Sequence, residues 1–376
     1  MNILIVDCFD TWEHRVDLLH QILTAEGHRV QCLLSDYRHF EKVYRTEPKK
    51  DFRFFHAQAY QKNISPGRLL SHIRLSRDIF AYIDKHSRQI DLLWVLAPPN
   101  VFIRDAARIR RKHRHIRLII DLMDLWPETM PVGKMKSLLF PWRMLRDGSL
   151  KYADVIVTEC GLYRRVLHRV LAGRRVETLY LAREDRGYAP AVNLPGDRIA
   201  LCYLGSINNI IDIDGIVRVV KICRQKHPVE LHIIGDGEKK QEFMERIRSA
   251  GAEVIDHGTV YDRAEKQKIF DTCHYGLNMM KSHVCVGLTM KSIDYFEFGL
   301  PIINNIQGDT RDIVERYGCG VNVDALTPET FADYPAEQRA SSRAFFERAL
   351  TTSAFAEKVA RCLMPGTDWK ETNGQD

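Results

Sequence analysis

The sequence predicts an α/β protein with two domains, and three observations lead to this prediction. Short apolar runs rich in β-branched residues alternate with helix-like segments along most of the chain, which is the pattern of α/β proteins. The pattern is interrupted at residues 181–198, where two prolines, two glycines and several charges indicate a linker, and then starts again. The chain of 376 residues is also longer than one hydrophobic core usually holds.

The first half begins with Asn2–Val6 (NILIV), a run that suits a central strand of a parallel sheet. A loop at Cys8–Arg15 follows, and helices and strands then alternate. The predicted strands are Asn2–Val6, His28–Leu34, Leu92–Leu96, Ile116–Asp121 and Ala153–Thr158, and the predicted helices are Val16–Ala25, Leu69–His86, Ile103–Arg114, Trp142–Tyr152 and Tyr163–Ala172.

The second half repeats this alternation, and its last predicted helix begins near Met290 and ends at Gly299 in the left-handed conformation. We expect domains at residues 1–185 and 199–325, followed by a C-terminal segment at 326–376. The predicted strands are Ile199–Tyr203, Val229–Ile234, Val254–Ile255, Tyr275–Met279 and Pro301–Ile303, and the other predicted helices are Ile213–Gln225, Lys239–Ala250 and Arg263–Cys273.

Composition is that of a soluble globular enzyme, with 45% hydrophobic and 28% charged residues. The nine cysteines include no Cys-x-x-Cys pair, so we expect buried thiols in a reducing cytosol and neither a disulfide framework nor a zinc site. The sequence shows no signal-peptide pattern, and no apolar run approaches the roughly 18 residues that a membrane span needs. These features predict a cytoplasmic protein.

The stretch Val286–Asn305 (VGLTMKSIDYFEFGLPIINN) combines residues that suit a sugar nucleotide. A helix beginning near Met290 places Lys291 and Asp294 on one face, because they are three residues apart. The free amides of Gly287–Thr289, the positive end of the helix dipole and the lysine together suit a diphosphate. Asp294 is placed to accept hydrogen bonds from sugar or ribose hydroxyls. The alternative is a solvated lysine and aspartate on an ordinary helix surface.

Glycine turns at 205, 235 and 287 each follow a predicted strand and precede a helix. We therefore expect all three to line one edge of one sheet, where backbone can approach a phosphate closely. No Gly-x-Gly-x-x-Gly fingerprint or Walker loop occurs, which argues against a nicotinamide oxidoreductase and an ATPase. The candidate residues in the first two turns are Gly205, Ser206, Asn208, Gly235, Asp236 and Gly237.

The loop after the first strand contains Asp10, Trp12, His14 and Arg15. In doubly wound sheets ligands bind beyond the C-terminal ends of the strands, so these residues are candidates for binding an acceptor. The alternative is loop structure and helix capping. A second candidate is Asp124 in the segment DLMDLWPE, which either caps a helix containing Pro127 and Glu128 or contacts substrate at a strand end.

Several motifs together resemble a known family. These are DLWPE at 124–128, YLG at 203–205, IIGDGE at 233–238, HGTV at 257–260 and TMKSIDYFEFGLPII at 289–303. In this order they resemble the retaining glycosyltransferases of the GT-B fold, family 4. The resemblance implies two facing Rossmann-like domains, with the nucleotide sugar on the C-terminal domain and the acceptor on the N-terminal one. It also implies that the last helices, within Arg339–Leu363, return to the N-terminal domain.

The resemblance also assigns roles to individual residues. Lys291 matches the lysine that contacts the donor diphosphate, and Asp294 matches the second acid of a Glu-x7-Glu motif, which contacts the ribose. The first acid of that motif falls at Val286 and is absent, and the basic residues expected after Gly205 are replaced by Ser206 and Ile211. The amides that contact phosphates and sugar belong to Gly287, Leu288, Thr289 and Met290, and backbone groups between His257 and Val260 contact the base.

The resemblance further implies a metal-independent reaction, in which the lysine and the helix amides balance the leaving diphosphate. Asp124 matches an aspartate that orients the acceptor or stabilises an oxocarbenium-like charge. No dedicated general base is expected, because in the mechanism usually proposed for this family the diphosphate itself helps to remove the acceptor proton. No cofactor is expected besides the nucleotide sugar as substrate.

Charge is distributed unevenly along the sequence. Residues 1–180 contain 31 Lys and Arg against 20 Asp and Glu, a net charge of +11. Because the whole chain has a net charge of +6, residues 181–376 have a net charge of −5. Basic segments at 104–117, 134–146 and 164–175 suit an anionic bilayer presenting a lipid-linked acceptor. Solvated helix faces are the alternative, and nothing indicates nucleic-acid binding. The sequence thus predicts a glycosyltransferase of surface glycan synthesis. The rival interpretations are a UDP-N-acetylhexosamine 2-epimerase of the same fold and a catalytically silent partner of another transferase.

Overall fold

The structure, a computed structural model, describes residues 1–62, 65–129, 139–190, 194, 196–331 and 335–365. The chain divides into two units. The first contains residues 1–159, 163–179 and the segment from 356 onward, and the second contains residues 160–162 and 180–355. Each unit is built on a parallel sheet, which confirms the predicted fold class.

The first sheet has seven strands in the order β3-β2-β1-β4-β5-β6-β7. Every residue of the run LLWVLA in β4 is buried, as expected for a central strand of a sheet covered on both faces. The order reverses direction between β1 and β4, so the loops after β1 and its neighbours meet at one edge. The strands are β1 (Asn2–Val6), β2 (Arg29–Ser35), β3 (Phe52–Phe55), β4 (Leu92–Ala97), β5 (Arg117–Leu122), β6 (Val155–Thr158) and β7 (Val176–Thr178).

Helices occupy most of the connections in the first 180 residues. The longest begins with a favourable cap: the Ser65 hydroxyl accepts a hydrogen bond of 3.2 Å from the amide of Arg68, and Pro66 occupies the first helical position. The helices are α1 (Glu13–Ala25), α2 (Pro66–His86), α3 (Asn100–Lys112), α4 (Phe140–Leu150), α5 (Gly161–Val166) and α6 (His168–Leu171).

The second sheet has six strands in the order β10-β9-β8-β11-β12-β13. Alternate residues of β8 belong to two hydrophobic clusters, Leu201 and Tyr203 to one and Cys202 to the other. Apolar layers therefore cover both faces of the sheet. The strands are β8 (Ile199–Leu204), β9 (Val229–Ile234), β10 (Glu253–Asp256), β11 (Tyr275–Asn278), β12 (Ile302–Asn304) and β13 (Gly320–Asn322).

The helices of the second unit alternate with its strands, and the order of the strands reverses between β8 and β11. Gly299 has φ of +66°, so the predicted left-handed residue does follow the helix that carries Lys291. The helices are α7 (Ile213–Cys223), α8 (Lys240–Ser249), α9 (Arg263–Phe270), α10 (Met290–Glu297), α11 (Asp309–Tyr317) and α12 (Ala336–Ala349).

The last helix, α13 (Thr352–Leu363), joins the first unit from Ala356 onward. The Lys358 ammonium donates to the carbonyl of Thr178 at 3.2 Å, and Arg117 donates to the carbonyl of Leu363 at 2.5 Å. The predicted return of the C-terminal helices thus holds for this part of α13. It is wrong for α12, which stays with the second unit: Arg343 donates to the carbonyl of Glu297 at 2.9 Å.

Several local predictions are corrected by the structure. Strands β3, β7 and β13 were not predicted, since they are edge strands of four, three and three residues. The helix predicted at Tyr163–Ala172 is two short helices, α5 and α6. The residues after Asp124 form a turn up to Thr129, so a helix capped there is not found among the residues described. No helix in the described ranges has the length and apolar character to cross a bilayer.

Candidate functional site

Two glycine turns of the second unit pack directly against each other at the C-terminal ends of β8 and β9. A Cβ atom at Gly235 would lie 2.1 Å from the carbonyl oxygen of Gly205, and one at Gly237 would lie 2.3 Å from that of Ile207. Both positions also have positive φ, +148° and +153°. Glycine is required here because no side chain fits between the turns and few residues other than glycine adopt this backbone conformation.

The third predicted turn leads into α10, which the Thr289 hydroxyl caps by accepting from the amide of Ser292 at 3.1 Å. Gly287 packs tightly, since a Cβ there would lie 2.5 Å from the carboxylate of Asp309. The Gly287 carbonyl accepts from both the amide and the hydroxyl of Thr310, at 2.9 and 2.6 Å. The turn before α10 is therefore fixed from two sides.

Lys291 in the first turn of α10 brings the first and third turns together. Its ammonium lies 4.2 Å from the centroid of the Tyr203 ring, and a Cβ at Gly205 would lie 3.9 Å from Nζ. Among the residues described, no hydrogen bond or ion pair involves this ammonium. Burial lowers the pKa of Lys291 to about 8. A partly desolvated cation thus lies beside a glycine turn and a helix N-terminus, which is the chemistry of an anion site.

An asparagine ladder beneath α10 was not predicted from the sequence. Asn278, Asn304 and Asn322 are the last residues of β11, β12 and β13 and are at most 5% exposed. Asn278 donates to Asn304 at 2.9 Å, and Asn304 donates to Asn322 at 2.8 Å. The Thr289 hydroxyl donates to Asn278 at 2.8 Å, so the ladder positions the cap of α10. The sequence did not indicate the ladder, because the strands predicted here end at Met279 and Ile303 and the three-residue strand β13 was not predicted.

Asp294 lies one turn beyond Lys291 and faces two cations. Arg183 Nε is 3.7 Å from one carboxylate oxygen, and Lys266 Nζ is 3.9 Å from the other. Neither cation was predicted, because one lies in the supposed linker and the other on the solvent-facing pattern of α9. They bring positive charge to the unit that carries Ser206 and Ile211 in place of the expected basic residues.

The remaining predicted donor residues surround these turns. The carbonyl of Ser206 accepts from the Tyr203 hydroxyl at 2.9 Å, and the Asp236 carboxylate accepts from the amide of Gly237 at 2.8 Å. His257 stacks on His232, with ring nitrogens 3.0 Å apart. Burial lowers the pKa of both histidines, that of His232 to about 4. The other predicted donor residues are Asn208 and Leu288, which are half-buried, Val260, which is buried, and Met290, which is exposed.

In the first unit, Asp124 follows β5 at the edge where the strands end. Its carboxylate accepts from the indole nitrogen of Trp126 at 2.8 Å and from the amide of Leu125 at 2.7 Å. Burial raises the pKa of this carboxyl group. The Trp126 ring belongs to an aromatic cluster around Phe9, whose centroid is 5.9 Å from Trp126 and 5.1 Å from His72.

The four residues predicted to bind an acceptor have different environments. Asp10 accepts from the amide of His39 at 2.8 Å, Trp12 packs edge-on against Phe9 at 5.3 Å, and His14 is exposed. Arg15 is 1% exposed and forms two hydrogen bonds with Asp121, at 2.9 and 3.0 Å. Its guanidinium holds α1 to β5 and is a structural group, so we do not keep Arg15 among the acceptor residues.

The second unit matches a known sequence family. Residues 198–336 match the family model described as glycosyl transferases group 1. This range includes the glycine turns, the asparagine ladder, Lys291 and Asp294. No curated protein matches the sequence.

Solved structures resemble the chain over 96% of its length. Sucrose-phosphate synthase from Thermosynechococcus elongatus has 14% identity, 98% of its own chain covered and a TM-score of 0.64. The lipopolysaccharide outer core galactosyltransferase WaaB has 14% identity, 98% of its own chain covered and a TM-score of 0.65. Anabaena HepE in complex with UDP and glucose has 14% identity, 99% of its own chain covered and a TM-score of 0.62. The chain therefore has the GT-B fold, and residues 198–336 carry the sequence pattern of glycosyl transferases group 1 within it.

Proposed function

We propose that the protein is a glycosyltransferase that moves a sugar from a nucleotide-sugar donor to a glycan or lipid-linked glycan acceptor. The donor binds at the second unit, between the two glycine turns and the N-terminus of α10. The match of residues 198–336 to glycosyl transferases group 1 supports this class of reaction. UDP is a reasonable donor nucleotide, because Anabaena HepE, of the same fold, is described in complexes with UDP and with UDP-glucose.

The observation that carries the proposal is the position of the Lys291 ammonium beside Gly205. A diphosphate at this position would receive a charge-assisted hydrogen bond from Lys291 and amide hydrogen bonds from the start of α10. Burial removes water from the Lys291 ammonium and so lowers its pKa. A bound anion would stabilise this charged form, as expected of a diphosphate site. Negative charge grows on the diphosphate as the glycosidic bond breaks, so these contacts would strengthen in the transition state.

Further features of the reaction follow as part of the proposal. Asp294 binds ribose hydroxyls, and Asp124 orients the acceptor or stabilises positive charge at the anomeric carbon. The anomeric configuration is retained, as in family 4, and the diphosphate takes part in removing the acceptor proton. Lys291 and the amides of α10 replace a metal ion, so activity is expected to survive EDTA. A cytoplasmic enzyme of polysaccharide synthesis, peripheral at the inner face of the membrane, fits this chemistry.

The test is a donor hydrolysis assay over a panel of UDP-, GDP-, dTDP- and CMP-sugars. Lys291→Ala should lower kcat/KM by at least about 100-fold, and Asp294→Ala by about tenfold, because each removes a contact to the donor. Lys221→Ala is the matched control, since Lys221 is an exposed lysine on α7 of the same unit. Unchanged activity in both site variants would show that the donor site is elsewhere.

One alternative has specific observations in its favour. Val286, Ser206 and Ile211 stand where the family has an acid and two basic residues, and Ile211 is 2% exposed. A catalytically silent partner of another transferase would tolerate these changes. It would hydrolyse none of the sugar nucleotides, whereas a UDP-N-acetylhexosamine 2-epimerase would convert its substrate without an acceptor.

A further inference from the structure

Arg68 lies in the first turn of α2, within the aromatic cluster of the first unit. Its guanidinium carbon is 4.8 Å from the ring centroid of Trp126, 5.2 Å from that of Phe9 and 5.8 Å from that of Tyr60. A cation over an aromatic face is stabilised by the negative potential of that face, and more strongly where water is excluded. Three rings therefore fix the position of this side chain.

Trp126 connects this cation to Asp124. The indole nitrogen donates to one carboxylate oxygen of Asp124 at 2.8 Å, so the direction of the carboxylate depends on where the indole lies. The Trp126 backbone is held through its carbonyl, which accepts from Asn100 at 3.1 Å and from Arg146 at 2.8 Å. The Trp126 ring thus contacts both side chains: Arg68 lies over its face, and its indole nitrogen donates to Asp124.

We propose that Arg68 is a positioning residue for Asp124. By packing on Trp126 it fixes the indole that orients the carboxylate, and its charge favours the ionised carboxylate over the neutral acid. The consequence for catalysis rests on the role proposed above for Asp124. The coupling of Arg68 to Asp124 through Trp126 does not depend on that role.

The charges around Asp124 support this assignment. Burial raises the pKa of Asp124, while Thr129, the Leu125 amide, Trp126 and the charge of Arg68 lower it. Burial also keeps the two neighbouring histidines neutral near pH 7, because it lowers the pKa of His72 well below its usual value and that of His39 to about 4. Other charged or titratable side chains next to this cluster are Lys42, 4.7 Å from the Tyr60 ring centroid, and Asp10. The Asp7 carboxylate accepts from the Phe9 amide at 3.2 Å, and Arg146, which contacts the Trp126 carbonyl, is paired with Glu128.

The test uses intrinsic tryptophan fluorescence as a function of pH, without substrate. The signal of the wild type minus that of Asp124→Asn isolates the titration of Asp124, because Trp126 donates to this carboxylate. Arg68→Gln should raise the midpoint by about 0.5 to 1 pH unit, since it removes a nearby positive charge. Arg68→Lys should restore the wild-type midpoint. Arg74→Gln is the control, because Arg74 lies on the exposed face of the same helix.

An equal midpoint in the wild type and Arg68→Gln would overturn the proposal, and so would the absence of any difference signal. Thermal unfolding of each variant checks that it is folded. With a donor substrate, Arg68→Gln should lower kcat and leave KM for the donor unchanged, whereas Lys291→Ala weakens donor binding. Failure of the donor assay alone would therefore leave the fluorescence result standing, and the two proposals fail separately.

Discussion

At the scale of single residues, Lys291 has the largest consequence, because its protonation state decides whether it attracts a diphosphate. Burial lowers the pKa of this lysine, so the ammonium is present below about pH 8 and is lost as pH rises through that value. A bound diphosphate would favour the charged form and raise the pKa again. Nucleotide binding and protonation of Lys291 are therefore coupled.

This coupling predicts the pH dependence of nucleotide affinity. The dissociation constant of UDP should rise about fivefold between about pH 8 and pH 9, because the fraction of free protein with charged Lys291 falls over that range. Lys291→Arg should bind with little pH dependence, since arginine stays protonated. Calorimetric titration above pH 7.5 measures this without interference from the terminal phosphate of UDP, which is already ionised there. A flat wild-type profile would contradict the role of Lys291.

Residue types at known spacing could be predicted from the sequence, and residues that act through long-range contacts could not. The pair Lys291 and Asp294 follows from helix periodicity and the glycine turn before it. Arg183 reaches Asp294 from 111 positions away in the sequence, and no local pattern indicates that approach. Arg15 is a second example of a long-range contact that the local sequence does not indicate. Its place in the predicted loop suggested an exposed side chain, but the side chain is buried against Asp121.

At the scale of elements, the contact between two glycine turns determines the shape of the donor site. Gly235→Ala should cost at least about 3 kcal/mol of unfolding free energy, from unfavourable backbone conformation and overlap with the Gly205 carbonyl. Gly258→Ala is the matched control: Gly258 has φ of +65° but no atom within 4 Å of an added Cβ, so only about 1 to 2 kcal/mol is expected. Denaturant unfolding measures both, and equal losses would show that the close approach is unimportant.

The asparagine ladder provides a second prediction at this scale. Asn304→Ala should destabilise the protein by about 2 to 4 kcal/mol, because it leaves buried polar groups of Asn278 and Asn322 without their partner. UDP affinity should also fall, since the ladder supports the cap of α10. Asn209→Ala, at an exposed position, serves as the control. Wild-type stability in Asn304→Ala would mean that the ladder contributes little to the second unit.

Most central strands and helices were predictable because their apolar pattern repeats with the period of the element. The short edge strands β3, β7 and β13 were not, because a strand of three or four residues has too few positions for a pattern. The bounds of the predicted strands agree with the structure to within two residues. Those of β9 are identical to the prediction, and β2 begins and ends one residue later than predicted.

At the scale of the whole molecule, residues 1–180 carry an excess of positive charge. Arg108, Arg111, Arg114 and Lys151 line a common pocket next to the N-terminal ends of β5 and β6. Asp124 follows the C-terminal end of β5. This basic pocket and the proposed acceptor residue therefore lie at opposite ends of the strands of the same sheet. The proposed membrane association therefore needs a direct test.

Vesicle co-sedimentation supplies that test. The protein should bind vesicles containing phosphatidylserine at low salt, with binding lost at high salt because surface charges are screened. Arg111→Glu together with Arg114→Glu should reduce binding, whereas Arg74→Glu together with Arg77→Glu, on the exposed face of α2, is the control with the same change in charge. Absence of binding at low salt would reject the proposed peripheral location.

The central claim is that the second unit binds a nucleotide sugar through Lys291, and the most direct test is a thermal shift of the purified protein. Ligand at about 100 times its dissociation constant should add roughly 2.7 kcal/mol to stability. We predict a rise in melting temperature with the sugar nucleotides of one base, lost in Lys291→Ala and kept in Lys221→Ala. No rise with any nucleotide sugar, or an equal rise in Lys291→Ala, would contradict the account.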